Sequence, residues 1–98
     1  MADLGPESFE GSPAESDSPS PNLRAWATVD LSAIEANVSR LAEAAPNSDL
    51  LAVVKADAYG HGLVPIAAAT RRGGAEWLGV ALLEEAITLR DAGDDGPI

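Results

Sequence analysis

The chemistry available to this chain gathers around one amine. Lys55 is the sole lysine in 98 residues, and the sole tyrosine and sole histidine follow at Tyr59 and His61, with glycines at 60 and 62. Four apolar residues, Leu51-Ala52-Val53-Val54, run directly into it. A desolvated ammonium is costly unless it is paired or neutralised. An apolar setting also lowers an amine's pKa until it can condense with an aldehyde. Three readings of Lys55 compete. A solvated lysine just beyond a strand end is the plainest. Phosphate binding in a glycine-rich loop fails on spacing, because the glycines follow the lysine and no Gly-x-x-x-x-Gly-Lys-Ser/Thr run is present. Covalent catalysis is the third. The Tyr59 phenol is able to donate a hydrogen bond to a phosphate oxygen, and a helix N-terminus beside it would attract the same anion; a packing role suits a tyrosine equally well. Gly60 and Gly62 permit positive φ and a close backbone approach. His61 between them is a base or a loop pin, and we read it as the pin.

The elements around this stretch must place it. Ala25-Trp26-Ala27-Thr28-Val29 is β-branched and aromatic and reads as a short strand. Asp30-Leu31-Ser32 opens a helix in which Ser32 and Glu35 have capping-box spacing, and Ile34, Val38, Leu41, Ala42 and Ala45 form an apolar stripe. Pro46-Asn47-Ser48 ends that helix. Leu50–Val54 is a continuous apolar run, as expected of a parallel strand buried on both faces. Pro65 suits the first turn of a helix over 66–72 that Gly73-Gly74 would close. A strand at 77–81, a helix over 83–92 stopped by Gly93, and a strand lead-in at Gly96-Pro97-Ile98 follow. Strand and helix alternate with short connections, which predicts right-handed βαβ units on a parallel sheet, closed as a doubly wound sheet or an eight-fold barrel. Both closures put functional groups at the carboxyl ends of strands, where Lys55 falls.

Composition narrows the class. Hydrophobic residues make up 46%, charged residues 22%, and aromatics 4%, so the core is aliphatic. The absence of cysteine excludes disulfides, thiolate metal sites and cysteine nucleophiles, and one histidine excludes a histidine-rich metal centre within the chain. A net charge of −10 argues against nucleic acid and against anionic membrane surfaces as partners. No run approaches the roughly 18 apolar residues of a membrane span, and the acidic N-terminus lacks the apolar core of a secretory signal, so a cytoplasmic location is expected. Residues 1–23 carry five acids, no base, four prolines and five serines. They read as a disordered tail, with the ordered region at 24–98.

Residues 52–62, Ala-Val-Val-Lys-Ala-Asp-Ala-Tyr-Gly-His-Gly, closely resemble the cofactor-lysine motif of bacterial alanine racemases. The flanks agree. Trp26-Ala27-Thr28-Val29-Asp30-Leu31 with Ile34 and Asn37 looks like the family's opening strand and helix, and Leu78–Ala86 with Leu89-Arg90 looks like its second barrel unit. The resemblance spans about residues 24–98. It implies an α/β fold in which these are the N-terminal strand–helix units of a (β/α)8 barrel, followed in the family by a β-rich domain that pairs with the opening strand. It also implies a homodimer using pyridoxal 5'-phosphate to interconvert L- and D-alanine for peptidoglycan precursors. Lys55 matches the lysine that carries the cofactor and serves as one of two opposed acid–base groups at the substrate Cα. Tyr59 matches the position that hydrogen-bonds the cofactor phosphate, and the opposite-face base lies beyond Ile98.

A barrel of this kind needs about 250 residues and eight strands, whereas this stretch supplies three strands, so the 98 residues alone are expected not to racemise alanine. Neighbouring activities remain open: a serine or broad-specificity racemase on the same scaffold, a non-catalytic pyridoxal-phosphate-binding barrel protein, or a remnant. The binding protein's lysine motif usually lacks the Tyr-Gly-His-Gly continuation present at Tyr59–Gly62.

Overall fold

The computed structural model describes residues 26–98. The acidic segment 1–23 and Ala25 of the expected first strand lie outside the described residues. Six elements follow in order: α1 (Leu31–Ala44), β1 (Leu51–Val53), the short helical turn α2 (Lys55–Gly60), α3 (Leu63–Gly73), β2 (Trp77–Gly79) and α4 (Leu83–Asp91).

The strand expected at 25–29 does not form over the part described, residues 26–29. A strand exists through its ladder, and no described segment runs beside these residues to supply one. The helix that follows is capped by Asp30, not Ser32. Asp30 is extended, and its Oδ1 accepts from Ala33 N at 3.1 Å. Aspartate is as good an N-cap as serine, and the earlier start brings Leu31 and Ile34 against the core. Ser32 is thereby drawn into the first turn, and Glu35 pairs with Arg72 of α3 at 3.0 Å. The expected stripe is narrower than its spacing suggested. Val38 is buried and Ile34 and Ala42 partly so, but Leu41 and Ala45 face solvent. α1 and α3 approach closely at Gly73, where an added Cβ would lie 2.6 Å from the Glu35 carbonyl oxygen and 2.7 Å from Val38 Cβ.

β1 and β2 are parallel, with Leu51 opposite Trp77, Ala52 opposite Leu78 and Val53 opposite Gly79. Their two faces are unequal. Val54 and Leu78 are each 1% exposed, whereas Leu51 and Val53 on the other face are 51% and 48% exposed. The expectation of a strand buried on both faces therefore fails for one of them. Side chains alternate across a strand, and the helices cover a single side of this pair. Leu78 N donates to Pro97 O at 3.1 Å. Amides alternate direction along a parallel strand, so this bond leaves the edge of β2 away from β1, as a third strand at 96–98 requires.

The core is aliphatic, as composition required: Val54, Ala58, Leu63, Ile66, Ala67, Leu78 and Leu89, with Ile98 packed against it. Gly74, at φ +116°, ends α3 in the left-handed cap expected of it. Just before that cap, Arg71 grips Asp94 through two parallel bonds of 2.9 and 2.8 Å and also donates to Pro97 O at 2.9 Å. The Asp94 side chain is 2% exposed. A carboxylate so placed needs this fork, because a buried charge is tolerated only when paired. No helix among the described residues is long and apolar enough to cross a membrane.

Candidate active site

β1 delivers the lysine. Val54 N donates to Gly79 O at 2.8 Å, extending the strand pairing by one residue, and the chain then turns. Lys55 stands at the carboxyl end of the parallel pair, where alternating strand–helix units place functional groups. Its environment differs from the sequence expectation of a desolvated amine. Lys55 is exposed, and no hydrogen bond or ion pair from a described residue reaches its Nζ.

The backbone then does something unusual. Ala56, Asp57, Ala58 and Tyr59 have φ of +54°, +58°, +53° and +57°, four consecutive non-glycine residues in the left-handed helical region. That conformation costs about 1–2 kcal/mol per residue, because Cβ crowds the following carbonyl. Aspartate tolerates it better than alanine. The surrounding structure must therefore impose it. Ala58 is 4% exposed within the core and its amide donates to Val54 O at 2.8 Å. Gly62 N donates to Asp57 O at 3.0 Å, and Asp57 Oδ1 accepts from Leu63 N at 2.8 Å, closing the turn onto the start of α3.

The remaining restraint comes from Glu85 on α4. Its Oε2 accepts from Ala56 N at 2.7 Å and from Asp57 N at 3.4 Å, while Oε1 accepts from Ala81 N at 3.0 Å and Leu82 N at 3.1 Å. One carboxylate thus joins the start of the left-handed turn to the start of α4. These amides hold the Glu85 carboxyl below the usual glutamate range, the Ala81 bond most strongly, with partial desolvation opposing them.

Tyr59 ends the left-handed turn, 59% exposed. Roughly one helical turn separates it from Lys55, so the amine lies directly before the strained segment and the phenol at its end. The helix N-terminus expected to assist it is not available for an anion. The first amide of α3 is taken by Asp57, and Asp57, Glu84 and Glu85 line the groove of about 500 Å³ beside it. Carboxylates there repel a phosphate. His61 serves as the loop pin: its Nδ1 donates to Ala58 O at 3.0 Å.

Lys55 and Tyr59 are thus brought onto one segment, and sequence reasoning missed the groups that shape it. Asp57 carried a usable signal, an acid six residues before Leu63 in a loop ahead of a helix. Glu85 carried half of one. Its position three residues after Leu82 fits a reach back to the cap amides, but its bonds to Ala56 and Asp57 span 29 and 28 positions and have no local signature.

The family model for "Alanine racemase, N-terminal domain" matches residues 29–98. Alanine racemase of Beutenbergia cavernae is 62% identical over 71 residues, covering 72% of this chain and 19% of that protein. Among solved structures, alanine racemase from the D-cycloserine-producing Streptomyces lavendulae superposes with a TM-score of 0.67 at 56% identity, over 69% of this chain and 18% of that one. Alanine racemase of Bacillus anthracis, solved with bound L-Ala-P, gives 0.69 at 46% identity, over 71% and 18%. The chain spans about a fifth of the length of these relatives. Its strand–helix units are the opening ones of a barrel of the eight-fold type, and the bare face carrying Leu51 and Val53 is the face a closed barrel turns inward. The chain belongs to the alanine racemase family, of which it carries the first part of the N-terminal domain.

Proposed function

We propose that this chain provides the cofactor-anchoring lysine of an alanine racemase, an enzyme that interconverts L- and D-alanine for peptidoglycan precursor supply. The observation that carries the reading is Lys55, placed at the carboxyl end of β1 directly before a strained turn, in a chain 62% identical over 71 residues to an alanine racemase. The residues suit pyridoxal 5'-phosphate. An aldehyde needs an amine that nothing else holds, and Lys55 Nζ has no partner among the described residues. A phosphate oxygen needs a donor, and the exposed Tyr59 phenol is one. When bound, the cofactor supplies the electron sink that acidifies the substrate Cα proton.

The chain's own groups then divide the work. Lys55 anchors the cofactor through its amine. The same amine would take up or return the substrate Cα proton on its own face as a general base or acid. The Tyr59 hydroxyl would donate a hydrogen bond to a phosphate oxygen. Racemisation needs a second group on the opposite face, which these 98 residues do not supply. On this reading the active protein is longer than this stretch, a cytoplasmic homodimer as the family resemblance implies, with residues 24–98 as the start of its barrel. The test is a graft in which residues 29–98 replace the matching segment of the Streptomyces lavendulae enzyme. Borohydride reduction followed by mass spectrometry should place pyridoxal phosphate on Lys55, and Lys55→Ala should lower racemisation by at least roughly 10²–10⁴-fold, the scale of a lost general base. Full activity in Lys55→Ala would sink the reading. The 98-residue chain alone is expected to show no turnover.

A further inference from the structure

We propose that Glu85 is the positioning residue for Lys55: its carboxylate fixes the peptide unit that follows the lysine, and so the direction in which the amine leaves the chain. The proposal rests on the reading of Lys55 as the cofactor lysine. The amide at stake is that of Ala56, the residue bonded directly to Lys55, and its 2.7 Å bond to Glu85 Oε2 is as short as any the turn makes. The orientation of this N–H is set by ψ of Lys55 and φ of Ala56. Holding it therefore holds the lysine's own backbone.

An external grip is necessary because of the strain. Ala56 sits at φ +54°, a value alanine avoids. Unlike Ala58, which the core encloses, Ala56 is exposed. Asp57 has its own side-chain bond to Leu63 N. Val54, before the lysine, is held by its bond to Gly79 O and by Ala58 N, and among the side-chain restraints Glu85 is the one that acts on the residue after it. Because its other oxygen is anchored on Ala81 N and Leu82 N, the side chain cannot follow the turn if the turn moves. Four donors converge on two oxygens, and this demands a carboxylate. In a glutamine one of those atoms becomes an NH2 facing N–H groups, a meeting of donors with no acceptor between them.

The experiment uses the same grafted holoenzyme. Glu85→Gln is compared with the unsubstituted graft for three properties: the rate at which the apoenzyme's Lys55 captures pyridoxal phosphate, read by borohydride trapping and mass spectrometry; kcat and KM for alanine; and the melting temperature. Glu85→Gln should slow capture and lower kcat by roughly 10–100-fold, the loss that small misplacement of a reacting group produces. KM should change little, because no substrate contact is removed. Adding Ala56→Gly to Glu85→Gln should recover most of the capture rate, since glycine enters the left-handed region without strain. A purely structural cap of α4 would not respond to a change at position 56. If Glu85→Gln does not fold, Glu85→Asp is read in the same way. It keeps the charge for Ala81 and Leu82 but is one methylene short of Ala56.

Capture and kcat within about twofold of the parent, whatever the melting temperature does, would overturn the proposal; that threshold is far below the expected loss. A loss that Ala56→Gly leaves untouched would overturn it as well. The two readings fail separately. If Lys55 is labelled and Lys55→Ala is inactive while Glu85→Gln behaves as the parent, the positioning role alone is lost. If Lys55 is never labelled, the functional reading falls and this one with it.

Discussion

Residues 56–59 and residues 63–73 are both helical, lie three residues apart in the chain, and are held by opposite means. α3 is right-handed, buries Leu63, Ile66, Ala67, Ala68, Ala69 and Thr70, and ends on a left-handed glycine. Its stability comes from its own hydrogen-bond ladder and from burial. The turn before it is left-handed without a glycine among residues 56–59 and exposes three of its four residues, all but Ala58. It is kept in place by groups brought from α4, from the start of α3 and from the core. The difference teaches where strain belongs. The strained segment follows Lys55 directly and ends on Tyr59, and the relaxed one carries the packing that makes the strain sustainable.

The comparison breaks most readily on the α3 side. Ile66→Ala, at a residue 8% exposed in the core, should destabilise the chain by about 2–5 kcal/mol in urea unfolding followed by circular dichroism. A loss below 1 kcal/mol would mean that α3 does not carry the load assigned to it. The sharpest form of the comparison is one substitution made in both regions. Ala69→Gly in α3 should cost about 1–2 kcal/mol, from lost helix propensity and a lost buried methyl. Ala56→Gly in the turn should instead stabilise by about 1 kcal/mol, because φ +54° ceases to be strained. Equal signs at the two positions would remove the distinction.

Smaller effects probe the joint between the regions. Asp57→Ala removes the side-chain cap of α3 and should cost about 1 kcal/mol. Asp57→Asn retains both the acceptor oxygen and tolerance of the left-handed region, and should cost only about a few tenths. The finest effect is on pH. Glu85 has its folded-state pKa lowered, so its contribution to stability is present above the unfolded value of about 4.3 and is lost as pH falls through the folded value. The stability gap between the parent and Glu85→Gln should accordingly close on the acid side of that window. A gap of constant size down to strongly acid conditions would show that the Glu85 charge is not what holds these four amides.

Much of the architecture was legible because its signals are local. The apolar run at 50–54, the Pro46-Asn47-Ser48 stop, the glycines at 74 and 93 and the alternation of strands with helices each speak through neighbours a few residues apart. They located β1, α1, α3, β2 and α4 and set Lys55 at a strand end. The errors arose where a partner decides. The stretch at 26–29 reads as a strand by composition and forms none, because pairing is not a property of the stretch itself. Leu51 and Val53 read as buried and are bare, because one face of a two-stranded pair has no cover.

The sequence by itself determined an aliphatic parallel strand–helix protein with a lone amine at the carboxyl end of a strand, and a motif specific enough to name its family. Periodicity, breakers and residue type are written along the chain and need no fold to be read. Tertiary structure alone decided that the segment after Lys55 winds left-handed, that Asp57 caps α3, and that Glu85 spans 29 positions to hold Ala56. Alanine does not choose φ +54° for itself. It is put there by hydrogen bonds and packing that exist only after α3 and α4 have closed over the turn.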